Sequence, residues 1–400
     1  MTLLVPFFFA HQPFRLKAVD TRPSGALETA YFDDTLNRDI FLRVTERCYR
    51  PATRLLLDLV QRHADHPKPF RVAYGLSGTF LMQAERFAPD LLDLWRSMAQ
   101  TGLVEFTGET YYHSLAGLFN DAETEFRAQC ALHQNTIASL FNQTTSVFRN
   151  TEMIYNDDLA ATVQQMGFAG MMTEGVDWLM AGWRSPDYVY AGPSGLPVLL
   201  RNYRLSDDIG FRFANKNWDA YPLTAEKFAG WLSGDKNPTV LLAMDYEALG
   251  EHVRADTGIF DFLAALPDRV AEHAHLEWAT PSQALAQTPP VGQINVPAYS
   301  TISWADNARN TSAWLGNEMQ QYCFGELQRL ESPVRATGSP EFLDIWRRLQ
   351  AADHLYYLSS RGLKDGDLPQ YFNPYGTVVE AFVRLHTVLY DLKRRVAAFG

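Results

Sequence analysis

The sequence predicts an α/β fold in which an incomplete barrel of seven parallel strands, a (β/α)7 arrangement, is followed by a C-terminal helical bundle. Seven apolar runs of strand length recur between Thr2 and Met244, and helical patterns lie between most of them. The runs are continuously apolar rather than alternating, which is typical of parallel strands that are covered on both faces. The character of the chain then changes after about Thr280, and long amphipathic segments predict the bundle.

The seven predicted strands are bounded by turn or polar residues. In order they are Thr2 to Phe9, Phe70 to Gly75, Leu103 to Thr107, Ser146 to Arg149, Gly167 to Thr173, Val198 to Tyr203 and Thr239 to Met244. The helices predicted between them include Thr79 to Gln100, Glu123 to Phe141, Asp157 to Met166 and Thr224 to Leu232. Barrels of parallel strands place their chemistry at the carboxyl ends of the strands, so the residues that follow these runs are candidate site residues.

The C-terminal part begins with a stretch that resembles a linker. Four prolines punctuate it, namely Pro281, Pro289, Pro290 and Pro297. Three amphipathic segments follow, namely Ser312 to Arg329, Pro340 to Tyr357 and Val378 to Ala398. We therefore expect a catalytic barrel over residues 1–285 and a C-terminal helical domain over residues 286–400.

Composition limits the classes of ligand. The 400 residues are 46% hydrophobic, 13% aromatic and 20% charged, which fits one large core with a subsidiary lobe. A net charge of −11 argues against nucleic acid, because nucleic-acid binding depends on a positive field. The three cysteines, Cys48, Cys130 and Cys323, are too scattered for a metal pair or a disulfide framework. No cofactor is expected.

The apolar N-terminal run Thr2 to Ala10 is interpreted as the first strand rather than as a signal peptide. No basic region precedes it, and His11, Gln12 and Arg15 follow it without a small-residue cleavage site. No other run approaches the ~18 apolar residues expected of a membrane span. We therefore expect no membrane partner and a cytoplasmic protein.

Two carboxylates follow hydrophobic strands and carry the main prediction about chemistry. Glu152 follows the strand at Ser146 to Arg149, and Asp245 ends the strand at Thr239 to Met244. Hydrolysis of a glycosidic bond needs one carboxylate at the anomeric carbon and one carboxylic acid that protonates the leaving oxygen. Strand ends of a barrel can bring such residues together, and their separation decides between retention and inversion.

Several ordered motifs together span nearly the whole chain. The first are His11-Gln12-Pro13, Gly75-Leu76-Ser77-Gly78-Thr79-Phe80, Phe148-Arg149-Asn150-Thr151-Glu152, Met244-Asp245-Tyr246-Glu247 and Gly250-Glu251-His252. The later ones are Ser303-Trp304-Ala305-Asp306, Ser312-Ala313-Trp314-Leu315-Gly316-Asn317 and Tyr371-Phe372-Asn373-Pro374-Tyr375. In this order they resemble the signature regions of glycoside hydrolase family 57. Phe9 stands where some members carry a first histidine, which fits the α-amylase-like branch of the family and leaves the subsite contacts open.

The resemblance implies a retaining hydrolase that cleaves α-1,4 bonds of an α-glucan or maltodextrin by double displacement. Carried over by position, Glu152 is the expected nucleophile and Asp245 the expected general acid/base. His11 would lie in the floor of the subsite that holds the attacked sugar. Trp304 and Asp306 would close that subsite from the helical lobe.

Further substrate contacts are expected from neighbouring motif residues and from tryptophan. Gln12 and Tyr246 lie beside His11 and Asp245 in the motifs. Tryptophan rings can stack on sugars, although most tryptophans serve packing. Trp304 and Trp178 are the favoured platforms, and Trp314 is a further candidate.

Other functions stay open at the level of the sequence. The same pair of carboxylates serves 4-α-glucanotransferases and branching enzymes in this family. A metal-dependent deacetylase or mannosidase would need a centre combined from residues such as His11, His113, Asp245 and His252, but these lack the close spacing typical of metal sites, so we expect no metal. A non-catalytic glucan-binding protein is disfavoured because both carboxylates are present.

Overall fold

The computed structural model describes residues 1–18, 25–120, 122–234, 236–360 and 371–399. Its strands are β1 Thr2–Ala10, β2 Val72–Leu76, β3 Val104–Phe106, β4 Val147–Arg149, β5 Gly170–Glu174, β6 Val189–Ala191, β7 Pro197–Arg201, β8 Thr239–Asp245, β9 Leu249–Gly250, β10 Val253–Arg254 and β11 Leu276–Trp278. The helices up to residue 287 are α1 Leu27–Tyr31, α2 Asp34–Val44, α3 Arg50–Arg62, α4 Gly78–Phe87, α5 Asp90–Gln100, α6 Ala122–Phe141, α7 Asp157–Gln165, α8 Tyr203–Gly210, α9 Ala225–Gly234, α10 Ile259–Ala271 and α11 Pro281–Gln287. The helices of the C-terminal lobe are α12 Ser312–Leu315, α13 Glu318–Ala336, α14 Pro340–Arg348, α15 Ala352–Tyr356 and α16 Val378–Phe399.

Seven parallel strands form the main sheet in the order β3-β2-β1-β8-β7-β5-β4. The two ends of this order approach each other, because Gly108, just past β3, exchanges backbone hydrogen bonds with β4 at Val147 and Arg149. The pairing of β7 with β8 is short and involves Arg201 and Leu241. The predicted barrel of seven strands with C-terminal helices is confirmed.

The side chains of β1 alternate between two hydrophobic clusters, one on each face of the sheet. Leu3, Val5, Phe7 and Phe9 belong to the cluster that fills the inside of the barrel, together with residues such as Met172. Leu4, Phe8 and Ala10 belong to a second cluster under the helices outside the sheet. Successive side chains of a strand point to opposite faces, and both faces here are buried, so a continuously apolar sequence is what β1 requires.

Three details of the fold differ from the sequence prediction. Strands β6, β9, β10 and β11 are additional: β6 is antiparallel to β7, β11 is parallel to β1, and β9 and β10 pair in a small separate sheet. The single helix predicted over Thr79 to Gln100 is two helices, because Pro89 stands between α4 and α5. The stretch after Thr280 is not a linker from its start, since Pro281 is the first residue of α11, where its missing N–H costs nothing.

The C-terminal lobe packs directly against the barrel. One hydrophobic cluster contains Phe14 and Tyr155 from the barrel side together with Trp346 and Leu389 from the lobe. The boundary at 285/286 cuts α11, and as a division between domains it stays a prediction.

All three cysteines are buried and free. Among the described residues, no helix has both the length and the apolarity that crossing a bilayer requires.

Candidate active site

Glu152 is held by two elements that are distant in sequence. It follows β4 in a short turn where its φ is 55°, a left-handed conformation that is costly outside glycine. Its carboxylate Oε2 accepts a hydrogen bond from Trp304 Nε1 at 2.7 Å, and its backbone oxygen accepts one from the Trp304 N–H at 3.2 Å. The C-terminal part of the chain therefore fixes the side chain of the predicted nucleophile.

The second oxygen of Glu152 meets His113. His113 Nε2 lies 2.6 Å from Glu152 Oε1, and His113, like Glu152, has a positive φ. Burial lowers the pKa of His113 well below its usual value, and the charges of His11 and Arg149 lower it further. A neutral imidazole that donates from Nε2 to the carboxylate fits these surroundings.

His11 connects the barrel to the lobe. It follows β1, and its Nδ1 lies 2.7 Å from the hydroxyl of Ser77, which follows the neighbouring strand β2. Its Nε2 lies 2.8 Å from Asp353 Oδ2 on α15. The His11 ring also lies 4.1 Å from the His113 ring, centroid to centroid, so it stands beside the partner of Glu152.

Asp353 was not singled out from the sequence. Burial raises the pKa of its carboxyl, but the charge and the hydrogen bond of His11 outweigh burial, so the net shift is downward. A charged Asp353 therefore stays paired with His11. The sequence signal was weak, since a lone acidic residue in a helical segment usually faces solvent.

Asp245 ends β8 directly opposite Phe9 of β1. Burial, and after it the negative charge of Glu152, raises the pKa of Asp245 to about 6. The two predicted catalytic carboxylates are therefore close enough for one charge to act on the other. Glu152 itself has a raised pKa, because burial outweighs the opposing effects of Arg149 and of the Trp304 hydrogen bond.

Arg149 is a buried cation beside these carboxylates that the sequence interpretation passed over. Its guanidinium lies 3.6 Å from the centroid of the Phe9 ring and 4.8 Å from that of Trp304. None of its three guanidinium nitrogens has a hydrogen-bond partner among the described residues. Its charge acts on Glu152 and Asp245, and on Glu109, whose pKa burial raises to about 8.

Three of the predicted substrate contacts are corrected: their side chains are buried and bond or pack inside the protein, so they do not face a substrate. Gln12 is 5% exposed, donates to Tyr49 Oη at 2.8 Å and accepts from Arg15 at 2.8 Å. Tyr246 is fully buried and shares a hydrogen bond of 2.8 Å with Thr53. Trp314 is 1% exposed in the cluster between barrel and lobe.

Trp178 and Asp306, two further predicted contacts, are not buried. Trp178 is 53% exposed in the turn after β5, where the preceding Asp177 accepts a hydrogen bond from Tyr203 at the start of α8. Asp306 lies in the same turn as Trp304, with a φ of 53°. Both stay candidates for contact with a substrate.

One group of side chains has a composition suited to a divalent metal. His11, His113 and Asp353 offer ligand atoms that lie within 4.8 Å of one another, a set different from the one raised by the sequence. Both Nε2 atoms already bond to carboxylates, and the charge of Arg149 reaches His113 and opposes a cation. Hydrogen bonding accounts for this group better than a metal centre does.

Comparison with known proteins gives a consistent assignment. Residues 7–297 match the model of glycosyl hydrolase family 57. A protein of Methanocaldococcus jannaschii described as "Putative alpha-amylase" is 40% identical over 98% of this chain and 84% of its own length.

Solved structures with low sequence identity share the fold. A 4-alpha-glucanotransferase from Thermococcus litoralis superposes with a TM-score of 0.69 at 15% identity, covering 96% of this chain, which spans only 59% of that enzyme. A branching enzyme of the same family from Thermococcus kodakaraensis has a TM-score of 0.66 at 14% identity, with 98% of this chain and 94% of that chain covered. The alpha-amylase AmyC from Thermotoga maritima has a TM-score of 0.58 at 14% identity, with 99% and 96% covered.

Proposed function

Because the chain belongs to glycosyl hydrolase family 57, we propose that it is an α-amylase-like enzyme that cleaves α-1,4 bonds of α-glucans with retention of configuration. Glu152 is the nucleophile and Asp245 the general acid/base. The observation that supports this assignment best is the asymmetry between the two carboxylates. Trp304 and His113 hold both oxygens of Glu152, whereas burial and the charge of Glu152 favour the protonated form of Asp245.

The first step needs an ionised Glu152 and a protonated Asp245. Arg149 and the Trp304 N–H stabilise the carboxylate of Glu152, which attacks the anomeric carbon. Asp245 transfers its proton to the departing glycosidic oxygen, and a covalent glycosyl-enzyme ester forms. Environments that separate the roles of two carboxylates in this way are the usual means of assigning nucleophile and acid.

The second step reverses the role of Asp245. Once Glu152 is esterified its negative charge is gone, so one of the causes that raise the pKa of Asp245 disappears. Asp245 is then a carboxylate able to accept a proton from water, and the water attacks the anomeric carbon and releases Glu152. The proton returns to Asp245, and the cycle closes.

The sugar that is attacked would lie between the strand exits and the lobe. His11, fixed by Ser77 and Asp353, is placed to contact its hydroxyl groups. Trp304 forms a wall of the same subsite while it orients the nucleophile. Trp178, exposed at the exit of β5, supplies a stacking surface farther along the chain of sugars.

A 4-α-glucanotransferase or a branching enzyme is the second candidate. Both activities occur among the solved structures of similar fold. On this site, both would begin with the same glycosyl-enzyme step at Glu152. The difference lies in the acceptor, which is water for a hydrolase and a sugar hydroxyl for a transferase. Products longer than the donor, or newly branched, in digests of maltoheptaose and amylose would favour the second candidate.

The first test is Glu152→Gln. Turnover of maltoheptaose should fall by about four orders of magnitude or more, while the fold and glucan binding persist, because the amide keeps the shape but cannot attack. Glu277→Gln, the same chemical change on β11 of the same sheet, is the matched control and should keep wild-type activity. Wild-type turnover in Glu152→Gln would refute the nucleophile assignment.

A further inference from the structure

An aromatic cluster, formed by Tyr356, Tyr371, Phe372 and His252, has no role so far. The His252 ring lies edge-on to Tyr371 at 5.9 Å and to Phe372 at 5.6 Å between centroids. His252 Nδ1 also lies 3.4 Å from Tyr371 Oη, and the Phe372 ring lies 6.3 Å from Tyr356. The four rings form one continuous surface that joins the lobe to the barrel.

Two independent connections place this aromatic cluster at the site. Tyr356 belongs to α15, the helix whose Asp353 binds His11. His252 is held by a backbone hydrogen bond of 2.9 Å to Glu247, two residues beyond Asp245, and the charges of His252 and Asp245 act on each other. The cluster therefore adjoins Asp245 through His252 and the floor of the sugar site through α15.

The outer members of the aromatic cluster are open to solvent. Tyr371 is 63% exposed and Phe372 is 40% exposed. Exposed aromatic groups that are contiguous and adjoin polar groups are typical of binding surfaces rather than of ordinary protein surface. The flat apolar face of a pyranose packs on such rings, and its hydroxyls remain free to bond to the polar rim.

We propose that Tyr371 and Phe372, supported by His252, bind the glucosyl units on the leaving side of the bond that is cleaved. This inference rests on the proposed function, because the side is fixed by the role of Asp245. The acid must lie next to the departing oxygen, so the sugar that departs lies on the Asp245 side of the site, where His252 is found.

The same surface receives the acceptor in the second step. Attack on the glycosyl-enzyme comes from the side that the leaving group has vacated, with Asp245 as the base. A sugar that stacks on Tyr371 and Phe372 would present its hydroxyl there in competition with water. This aromatic surface therefore favours transfer to a maltodextrin acceptor over hydrolysis, in proportion to its affinity for sugar.

The test compares a substrate that has sugars on the leaving side with one that has none there. Maltoheptaose places glucosyl units on the aromatic cluster. The leaving group of α-maltosyl fluoride is fluoride, so this substrate places no sugar there. Tyr371→Ala and Phe372→Ala should lower kcat/KM for maltoheptaose roughly three- to tenfold, the loss of one aromatic contact, and leave that for α-maltosyl fluoride unchanged. The ratio of transfer to hydrolysis at high maltose concentration should fall as well.

Two control variants keep the outcome decisive. Tyr371→Phe retains the ring and should keep wild-type values, and Tyr390→Ala removes a tyrosine of similar exposure, 58%, from α16 and should change nothing. Equal losses on both substrates, or no loss on either, would overturn the proposal. Failure of the proposed function is distinguishable, because the wild-type protein would then release no sugar from either substrate.

Discussion

At the scale of the residue, Arg149 sets the electrostatics of the site. A fully buried guanidinium that is stacked between Phe9 and Trp304 and lacks hydrogen-bond partners among the described residues is costly, because removing such an ion from water is compensated only by nearby opposite charge. Ionised Glu152 supplies that charge, while Asp245 and Glu109, whose pKa values are raised to about 6 and about 8, add to it only as they ionise. A cation kept at this cost is best explained by its effect on the carboxylates.

We predict that Arg149→Met moves the whole pH profile of kcat/KM to higher pH. In the wild type, activity should fall as pH rises past about 6, because Asp245, with a pKa of about 6, must be protonated. The acid limb reports the ionisation of Glu152. The charge of Arg149 lowers the pKa of both carboxylates, so its removal raises both and shifts both limbs upward.

The pH profile separates this role from a packing role. Arg149→Lys keeps the charge and should retain most of the wild-type profile, although it loses the planar stack. A loss of activity in Arg149→Met that is uniform across pH would mean that Arg149 acts through packing alone. The thermal midpoint of each variant controls for partial unfolding.

At the scale of the element, the turn after β8 depends on one glycine. Gly250 has a φ of 113°, and a Cβ there would overlap the carbonyl oxygen of Arg47 in the neighbouring helical segment. This close approach lets the chain turn back after Glu247 and places His252 beside Asp245. The glycine in the Gly250-Glu251-His252 motif is therefore a requirement of the backbone.

We predict that Gly250→Ala destabilises the protein by about 1 to 3 kcal/mol, the cost of a strained conformation and a displaced neighbour. Urea denaturation measures the change. Gly230→Ala is the matched control, because that glycine lies inside α9 with open space where a Cβ would be, and it should stabilise the protein by about 1 kcal/mol. Equal effects of the two substitutions would contradict this account.

The elements also show which parts of the fold can be predicted from sequence patterns. Buried parallel strands are continuously apolar, so all seven main strands were predicted to within a few residues. Strands β6 and β11 were not predicted, and the helix predicted across Pro89 was wrong because apolar periodicity hid the break. The residues predicted at strand exits lie where expected, whereas Asp353 reaches the site through tertiary contact with His11, which local patterns do not encode.

At the scale of the whole molecule, barrel and lobe share both the core and the site. The cluster between them joins Phe14 and Tyr155 to Trp346 and Leu389. The buried carboxylate of Glu125 on α6 accepts hydrogen bonds from two arginines of the lobe. Trp304 and Asp353 reach the nucleophile and His11 from the same C-terminal part. Catalysis and stability are therefore expected to be lost together when the lobe is removed.

We predict that a chain ending at Thr288 does not form a stable, active barrel. Its half of the shared cluster would face water, at a cost of roughly 2 kcal/mol for each large apolar side chain exposed, and Glu152 would lose its bond to Trp304. Size-exclusion chromatography and urea denaturation of this fragment, alone and produced together with residues 289–400, measure the effect. We expect aggregation or non-cooperative unfolding of the fragment alone and recovery of a soluble complex with the lobe. A fragment that unfolds cooperatively by itself would instead make the predicted boundary near residue 285 a true folding boundary.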